Sequence, residues 1–116
     1  MSEGRFRVEF LEEAVQFLED VEQKAREKII YNITKAQYSL DNELFKKLTL
    51  DIWEFRTVYR RTYYRLFAFW DKSNAQDSVV VVTHGLIKRT VKTPKSELER
   101  AERLKMNYEQ KLPPQI

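Results

Sequence analysis

The chain has 116 residues, 42% of them hydrophobic and 34% charged, and a formal net charge of +3, so one domain with a single core is expected. It has no cysteine and one histidine, which argues against disulfides and against a protein-built zinc or iron site. No apolar run approaches the ~20 residues that span a bilayer, and the first ten residues lack the apolar segment of a secretory signal. We therefore expect a cytoplasmic protein that uses no cofactor and contacts no membrane.

The first forty residues predict one strand and two helices. The strictly alternating "RFRVEF" is typical of a short strand with its apolar residues on one face. Apolar residues then recur at helical spacing in two stripes, from Leu11 to Val21 and from Ala25 to Leu40. We expect two helices that separate near Glu22, and the polar "SLDNE" to end the second one.

The middle of the chain predicts three further strands. "IWEFRTVYRRTYYRLFAFWD" is rich in aromatic and β-branched residues and indicates two strands with a tight link between Thr57 and Arg61. "KSNAQD" is typical of a turn, and "SVVVVTHGLI" indicates another strand. The uninterrupted valines of that strand imply burial on both faces, which favours a position inside the sheet.

A last helix closes the predicted order β-α-α-β-β-β-α. Thr93 is expected to cap this helix and Pro94 to occupy its first turn. The order predicts an α+β domain over residues 1–112, followed by a flexible tail at 113–116. In that domain a small, mostly antiparallel sheet would carry the two N-terminal helices on one face, with a C-terminal helix at the end of the chain.

Positive charge is concentrated in one part of the chain. Residues 56–95 hold nine basic and two acidic side chains, whereas the other 76 residues carry a net charge of −4. A basic block on an acidic body is typical of a protein that binds a polyanion, most often nucleic acid. The alternative is an ordinary solvated surface with salt bridges.

The last strand places the histidine in a basic series. His84, Lys88 and Lys92 are each four residues apart, a spacing that puts them on one face of a strand or of a helix. Arginines and lysines can stabilise the pentacoordinate phosphate of RNA cleavage without a metal. A histidine, or a lysine of lowered pKa, can move the protons. The residues therefore permit a metal-free ribonuclease.

Each of these residues also has a structural explanation. His84 can be a hydrogen-bonded residue at a strand end, and Lys88 can be a solubilising charge beside an apolar strand. Arg65, in the middle of a strand among aromatic residues, can pair with Glu54 across the sheet. Taken one at a time, these residues do not decide between a site and a scaffold.

Three segments together resemble a known family. "WEFR", "YYRLFAFWD" and "VVVTHGLIKRTVKTPKSELERAERLKMNYE" resemble the phage-derived HigB branch of the RelE/ParE toxin superfamily, over about residues 44–110. The resemblance implies a two-helix-on-sheet toxin fold. It also implies a ribosome-dependent endoribonuclease that cleaves messenger RNA and so inhibits translation.

The resemblance also assigns roles by position. It implies that Arg65 and Lys88 contact the phosphate in the transition state, and that His84 either transfers protons or fixes the backbone at the strand end. The residues expected to hold RNA are Arg56, Arg61, Arg89 and Lys92. Leu86, Arg89 and Val91 depart from the family pattern, and an arginine at position 89 keeps the charge without the tunable pKa of lysine.

The resemblance implies partners as well. They are messenger RNA, the ribosome and a helix-turn-helix, HigA-like antitoxin, through which the complex would bind operator DNA. Three alternatives stay open: a ParE-like gyrase poison, a non-catalytic nucleic-acid-binding module, and an inactive chain whose task is to hold its antitoxin. The fold alone does not decide between them.

Overall fold

A computed structural model describes residues 4–39, 41–73, 78–88 and 92–111. These residues form an α+β structure, as predicted, with the elements β1 (Arg7–Phe10), α1 (Glu12–Asp20), α2 (Gln23–Tyr38), β2 (Phe45–Lys47), β3 (Trp53–Tyr59), β4 (Thr62–Asp71), β5 (Val79–Lys88) and α3 (Lys95–Gln110). The predicted tail at 113–116 and the predicted site residue Arg89 lie outside the described residues.

The described strands form one mixed sheet in the order β1-β5-β4-β3-β2. β1 runs parallel to β5, and every other pair is antiparallel. The valines at 79–82 are at most 4% exposed, because β5 lies inside the sheet and is covered on both faces. Their burial and the internal position of β5 confirm the prediction from the sequence.

Strand β2 was not predicted. It is three residues long, too short to show an alternating pattern. Its place is fixed by Phe45, whose ring stacks on Phe55 with centroids 4.3 Å apart and on Trp53 at 4.8 Å. Aromatic packing therefore holds this edge strand where its sequence pattern gives little signal.

The helices cover opposite faces of the sheet. α1 contacts β5 and α2 contacts β3, and their buried residues share one cluster with Leu66 and Val82. α3 contacts β4 and β5, and Ala101 packs in a second cluster with Phe67 and Phe69. We call the side that α3 covers the α3 face. The candidate site lies on it.

The break between the first two helices falls where the sequence predicts it, at residues 21–22. The Arg26 side chain stabilises this corner by donating hydrogen bonds to carbonyl oxygens at the end of α1, among them that of Leu18 at 2.6 Å. Those carbonyls have no partner within the helix, so a guanidinium is well suited to bind them.

The predicted cap of α3 is wrong. The helix begins at Lys95, its N-cap is Pro94, and no side chain caps it. The Thr93 hydroxyl instead donates a hydrogen bond of 3.1 Å to the Glu54 carboxylate. A bond to a buried charged acceptor is stronger than a neutral bond to a backbone amide, and it draws Thr93 away from the helix end.

Candidate functional site

Three neighbouring strands bring cationic side chains together on the α3 face. Arg56 on β3 pairs directly with Arg65 on β4, and Lys88 on β5 pairs with Tyr63 on β4. Because alternate residues of a strand share a face, Arg56, Arg65, Tyr63 and Lys88 all project on the same side as Phe67, a residue of the α3-face cluster. This is the sheet region that the sequence singled out.

A β-bulge in β5 determines which side chains reach this face. Phe67 pairs with His84, but the next residue, Ala68, pairs with Val82, so Thr83 is an extra residue. A bulge of one residue reverses the alternation of everything that follows. His84 and Lys88 therefore project on the α3 face. Val82, which is also even-numbered but precedes the bulge, projects on the opposite face of the sheet. His84 and Lys88 share a face, as their spacing predicts.

A single carboxylate lies at the centre of the cations. Glu54 Oε1 is 3.3 Å from Arg65 Nε and 3.7 Å from Arg56 Nε. The side chains of Glu54 and Arg65 are each 3% exposed, whereas that of Arg56 is 28% exposed. The arrangement is a nearly buried ion pair with a second, more accessible guanidinium beside it. We call Glu54, Arg56, Arg65 and Lys88 the cationic cluster.

The Thr93 hydroxyl connects Lys88 to this carboxylate. Lys88 Nζ donates to Thr93 Oγ1 at 2.9 Å, and Thr93 Oγ1 donates in turn to Glu54 Oε2 at 3.1 Å. Burial lowers the pKa of the Lys88 ammonium, Glu54 opposes this shift, and Arg65 and Arg56 add to it. The lysine is therefore closer to its neutral form at physiological pH than a solvated lysine is.

Arg65 is buried in an environment that is both charged and aromatic. Its guanidinium lies 5.4 Å from the centroid of the Tyr63 ring and donates to the Tyr64 carbonyl at 3.3 Å. Burial lowers the pKa of Arg65, and Glu54 raises it. Arg65 therefore pairs with Glu54, which is one of the explanations that the sequence leaves open. The same pairing holds the guanidinium near Lys88 and Arg56.

His84 is enclosed between the sheet and α3. Its ring stacks on Phe67 with centroids 4.8 Å apart, and the residue is 1% exposed. The Thr83 hydroxyl donates to the Phe67 carbonyl at 3.2 Å and forms a hydrogen bond of 2.9 Å with His84 Nδ1. Nε2 faces the Glu97 carboxylate at 3.5 Å. Burial, with Arg100 second, lowers the pKa of His84 from 6.5 to about 4.

Two of the other predicted RNA-binding residues, Arg61 and Lys92, are among the described residues. Arg61 is exposed in the turn between β3 and β4, and Lys92 is exposed just before α3. Within the described ranges, no group of three or more histidine, cysteine or acidic side chains is arranged to hold a metal ion. None of the helices in those ranges is long and apolar enough to cross a membrane.

Comparison with known proteins identifies the family. The model of the family described as Phage derived protein Gp49-like (DUF891) matches residues 16–106, which include the whole cationic cluster. The chain belongs to this Gp49-like family. Its members are RelE/HigB-type toxins, so the chain is a toxin of the RelE superfamily.

No curated protein matches the Gp49-like chain significantly. Among solved structures, a chain of the archaeal RelE–RelB complex from Pyrococcus horikoshii OT3 is similar, with a TM-score of 0.48 and 16% identity. The match covers 76% of the Gp49-like chain and 99% of the archaeal one.

Glu54 and Thr93 are the members of the candidate site that the sequence does not assign to it. The sequence indicates Glu54 only as a possible partner of Arg65, and Thr93 only as a helix cap. The signal for Glu54 was present: it is an acid between aromatic residues of a strand, two residues before an arginine. For Thr93 there was no signal, because its role depends on a fold that brings residues 54 and 93 together.

Proposed function

We propose that this toxin is a metal-free endoribonuclease that cleaves messenger RNA on the ribosome and thereby inhibits translation. The observation that carries the proposal is that Arg56 and Arg65 pair with the carboxylate of Glu54, and that Lys88, on the third adjacent strand, is joined to it through the Thr93 hydroxyl. Three cations and one carboxylate leave an excess of positive charge on one face of the sheet, which suits a phosphodiester.

The proposed reaction is attack by the ribose 2′-oxygen on the adjacent phosphorus. The 2′-hydroxyl passes its proton to a solvent water, the new P–O2′ bond forms as the P–O5′ bond breaks, and the leaving 5′-oxygen gains a proton from the enzyme, which gives a 2′,3′-cyclic phosphate and a 5′-hydroxyl. Arg56, the more exposed guanidinium, would contact the phosphate first, and Arg65 would stabilise its developing charge. Lys88, with its lowered pKa, is suited to protonate the leaving oxygen.

Binding would require an exchange of partners at Lys88. The residue is 5% exposed, and its ammonium donates to Thr93 in the free protein. A phosphate oxygen would replace the Thr93 hydroxyl as acceptor, and a charged acceptor makes the stronger bond. Glu54 would keep Arg65 oriented during this exchange, which makes it a positioning residue.

His84 is implied either to transfer protons or to fix the backbone at the strand end, and the second, a scaffold role, suits its surroundings better. Its burial, its stack on Phe67 and its bond to Thr83 support a contribution to the packing of β5 against α3. A pKa near 4 keeps the imidazole neutral at pH 7. Arg61, Arg89 and Lys92 stay as proposed RNA contacts.

The proposal includes a partner, because an active toxin has to be kept silent. We propose a HigB-type module, in which one toxin domain at residues 1–112 pairs in the cytoplasm with a helix-turn-helix antitoxin of the HigA type. Operator DNA would be bound only by that complex. Membership of the Gp49-like toxin family supports this proposal.

A cleavage assay with the purified chain tests the function. Defined messenger RNA is incubated with the toxin, with and without programmed ribosomes, and the new ends are mapped by primer extension. We expect cuts that depend on ribosomes and leave 5′-hydroxyl ends. Intact RNA together with inhibited gyrase supercoiling would assign a ParE-like activity instead. Intact RNA that is bound with steep salt dependence would assign a binding module.

A further inference from the structure

The turn between β3 and β4 holds two arginines in an unusual backbone conformation. Tyr59 and Thr62 pair across the hairpin, so Arg60 and Arg61 alone form the turn. Their φ angles are 50° and 64°. Positive φ at both turn residues is the type I′ geometry, which prefers Asn-Gly because a Cβ crowds the backbone there.

Nothing in the pairing of the strands requires arginine at these two positions. A two-residue Asn-Gly turn would support the same hairpin at lower backbone strain. Backbone strain of this kind clusters at functional sites, which suggests a function for the two side chains. Both residues are exposed, and the Arg60 guanidinium lies 5.3 Å from the centroid of the Tyr59 ring, a contact that orients it.

The turn is continuous with the cationic cluster. The segment 55–70, which contains the turn and lies within the hairpin Trp53–Asp71, has four arginines and no acidic residue; Glu54 and Asp71 lie just outside it. Arg61 precedes Arg65 by four residues, a separation of about 13 Å along an extended strand. From Arg56 and Arg65, a polynucleotide can therefore reach the turn along residues 57–64 without passing an acidic side chain of that segment.

We propose that the Arg60–Arg61 turn is a second RNA-binding surface, which contacts backbone phosphates away from the bond that is cut. This inference rests on the proposed function and adds to it a separate point of attachment. Guanidinium groups fit phosphate oxygens in a bidentate manner. The phosphates belong either to the messenger RNA or to ribosomal RNA, and the test separates the two sources.

The test uses the full chain with Arg60→Asn and Arg61→Gly combined. Binding to a 20-nucleotide single-stranded RNA and to purified bacterial ribosomes is measured against salt concentration. Loss of two phosphate contacts should weaken binding about tenfold and reduce the slope of log K against log salt by about 1.4. The midpoint Tm should rise by about 5 °C, since the strain is relieved.

A matched variant controls for the loss of charge. Lys35→Gln combined with Lys72→Gln removes two exposed positive charges, one near the end of α2 and one just after β4, at the opposite end of that strand from the turn. This control should keep the salt slope of the wild type. An equal loss of slope in the control would overturn the assignment to the turn.

The outcomes separate this inference from the proposed function. A reduced slope with ribosomes only assigns ribosomal phosphates, and a reduced slope with both ligands assigns the single strand. If the wild type cleaves RNA and the double variant keeps the wild-type salt slope with both ligands, the role of the turn is overturned and the proposed function stands. A Tm that does not rise also overturns it, because the turn then holds no strain that the arginines could explain. A wild-type chain that neither binds nor cleaves RNA overturns both proposals.

Discussion

At the residue scale, the site depends on one carboxylate. Glu54 neutralises part of the charge of two guanidiniums and is joined to Lys88 through Thr93. Three cations crowded on one face without it would repel one another, and the buried guanidinium of Arg65 would lose its ion pair. Glu54 therefore contributes to the fold and to the orientation of the cations at the same time.

This role predicts the effect of Glu54→Gln. The change keeps the side-chain shape but leaves the nearly buried Arg65 without its charged partner, which should destabilise the protein by about 3 kcal/mol. Arg65→Met in the Glu54→Gln background should recover part of that loss. Urea denaturation of the wild type, both single variants and the double variant measures the coupling. Strictly additive effects would contradict the pairing.

His84 predicts how stability depends on pH. Its pKa is about 4 in the folded protein and 6.5 when unfolded, so the unfolded chain binds the extra proton between these values. Its neutral form supports the fold fully above pH 6.5, and this stability is lost as the pH falls towards 4. The loss is at most about 3 kcal/mol. Unfolding free energies at pH 7.5, 6 and 5 measure it, and His84→Gln should be less sensitive; equal pH dependence in both would contradict the scaffold role.

At the element scale, strand β5 contributes to both the core and the candidate site. Its valines fill both clusters, its bulge at Thr83 turns His84 and Lys88 towards α3, and Gly85 lets α1 approach closely. A Cβ built on Gly85 would lie 2.3 Å from Cδ2 of Phe17. The backbone of Gly85 has no positive φ, so glycine is needed there for space and not for conformation.

Gly85→Ala should therefore destabilise the protein through a clash with Phe17. We expect a loss of about 1–3 kcal/mol, typical of an overpacked contact. In a Phe17→Ala background the same change at Gly85 should cost little, because the ring is gone. Thermal or urea unfolding of the four proteins of this cycle measures the coupling, and an equal cost of Gly85→Ala in both backgrounds would show that the contact is not responsible.

At the scale of the whole molecule, the periodicity of apolar residues predicts the order and burial of the main helices and strands, but not the contacts between them. The helix break near Glu22 and the internal position of β5 follow from apolar spacing, which depends on burial alone. Strand β2, the bulge at Thr83 and the role of Thr93 were missed. Each depends on contacts between distant parts of the chain, such as the stack of Phe45 on Phe55, and these leave no local pattern.

In the candidate site too, the sequence indicates which residues take part but not how they are arranged. Arg56, Arg65 and Lys88 could be named from the sequence because motif and charge both indicated them. Their distances from Glu54, and the burial that lowers the pKa of Lys88, required the register of three strands. The sequence thus indicated which cations meet, and the sheet shows which carboxylate they share.

The most direct measurement is the single-turnover rate of messenger RNA cleavage on programmed ribosomes by the wild type, Lys88→Met and Lys35→Met. Lys35 is exposed on α2, so its variant removes one charge away from the cationic cluster. With all three proteins shown to be folded by circular dichroism, we expect Lys88→Met to lose at least about 100-fold in rate and Lys35→Met to lose none. A folded Lys88→Met protein that cleaves at the wild-type rate would contradict the assignment of the active site to the cationic cluster.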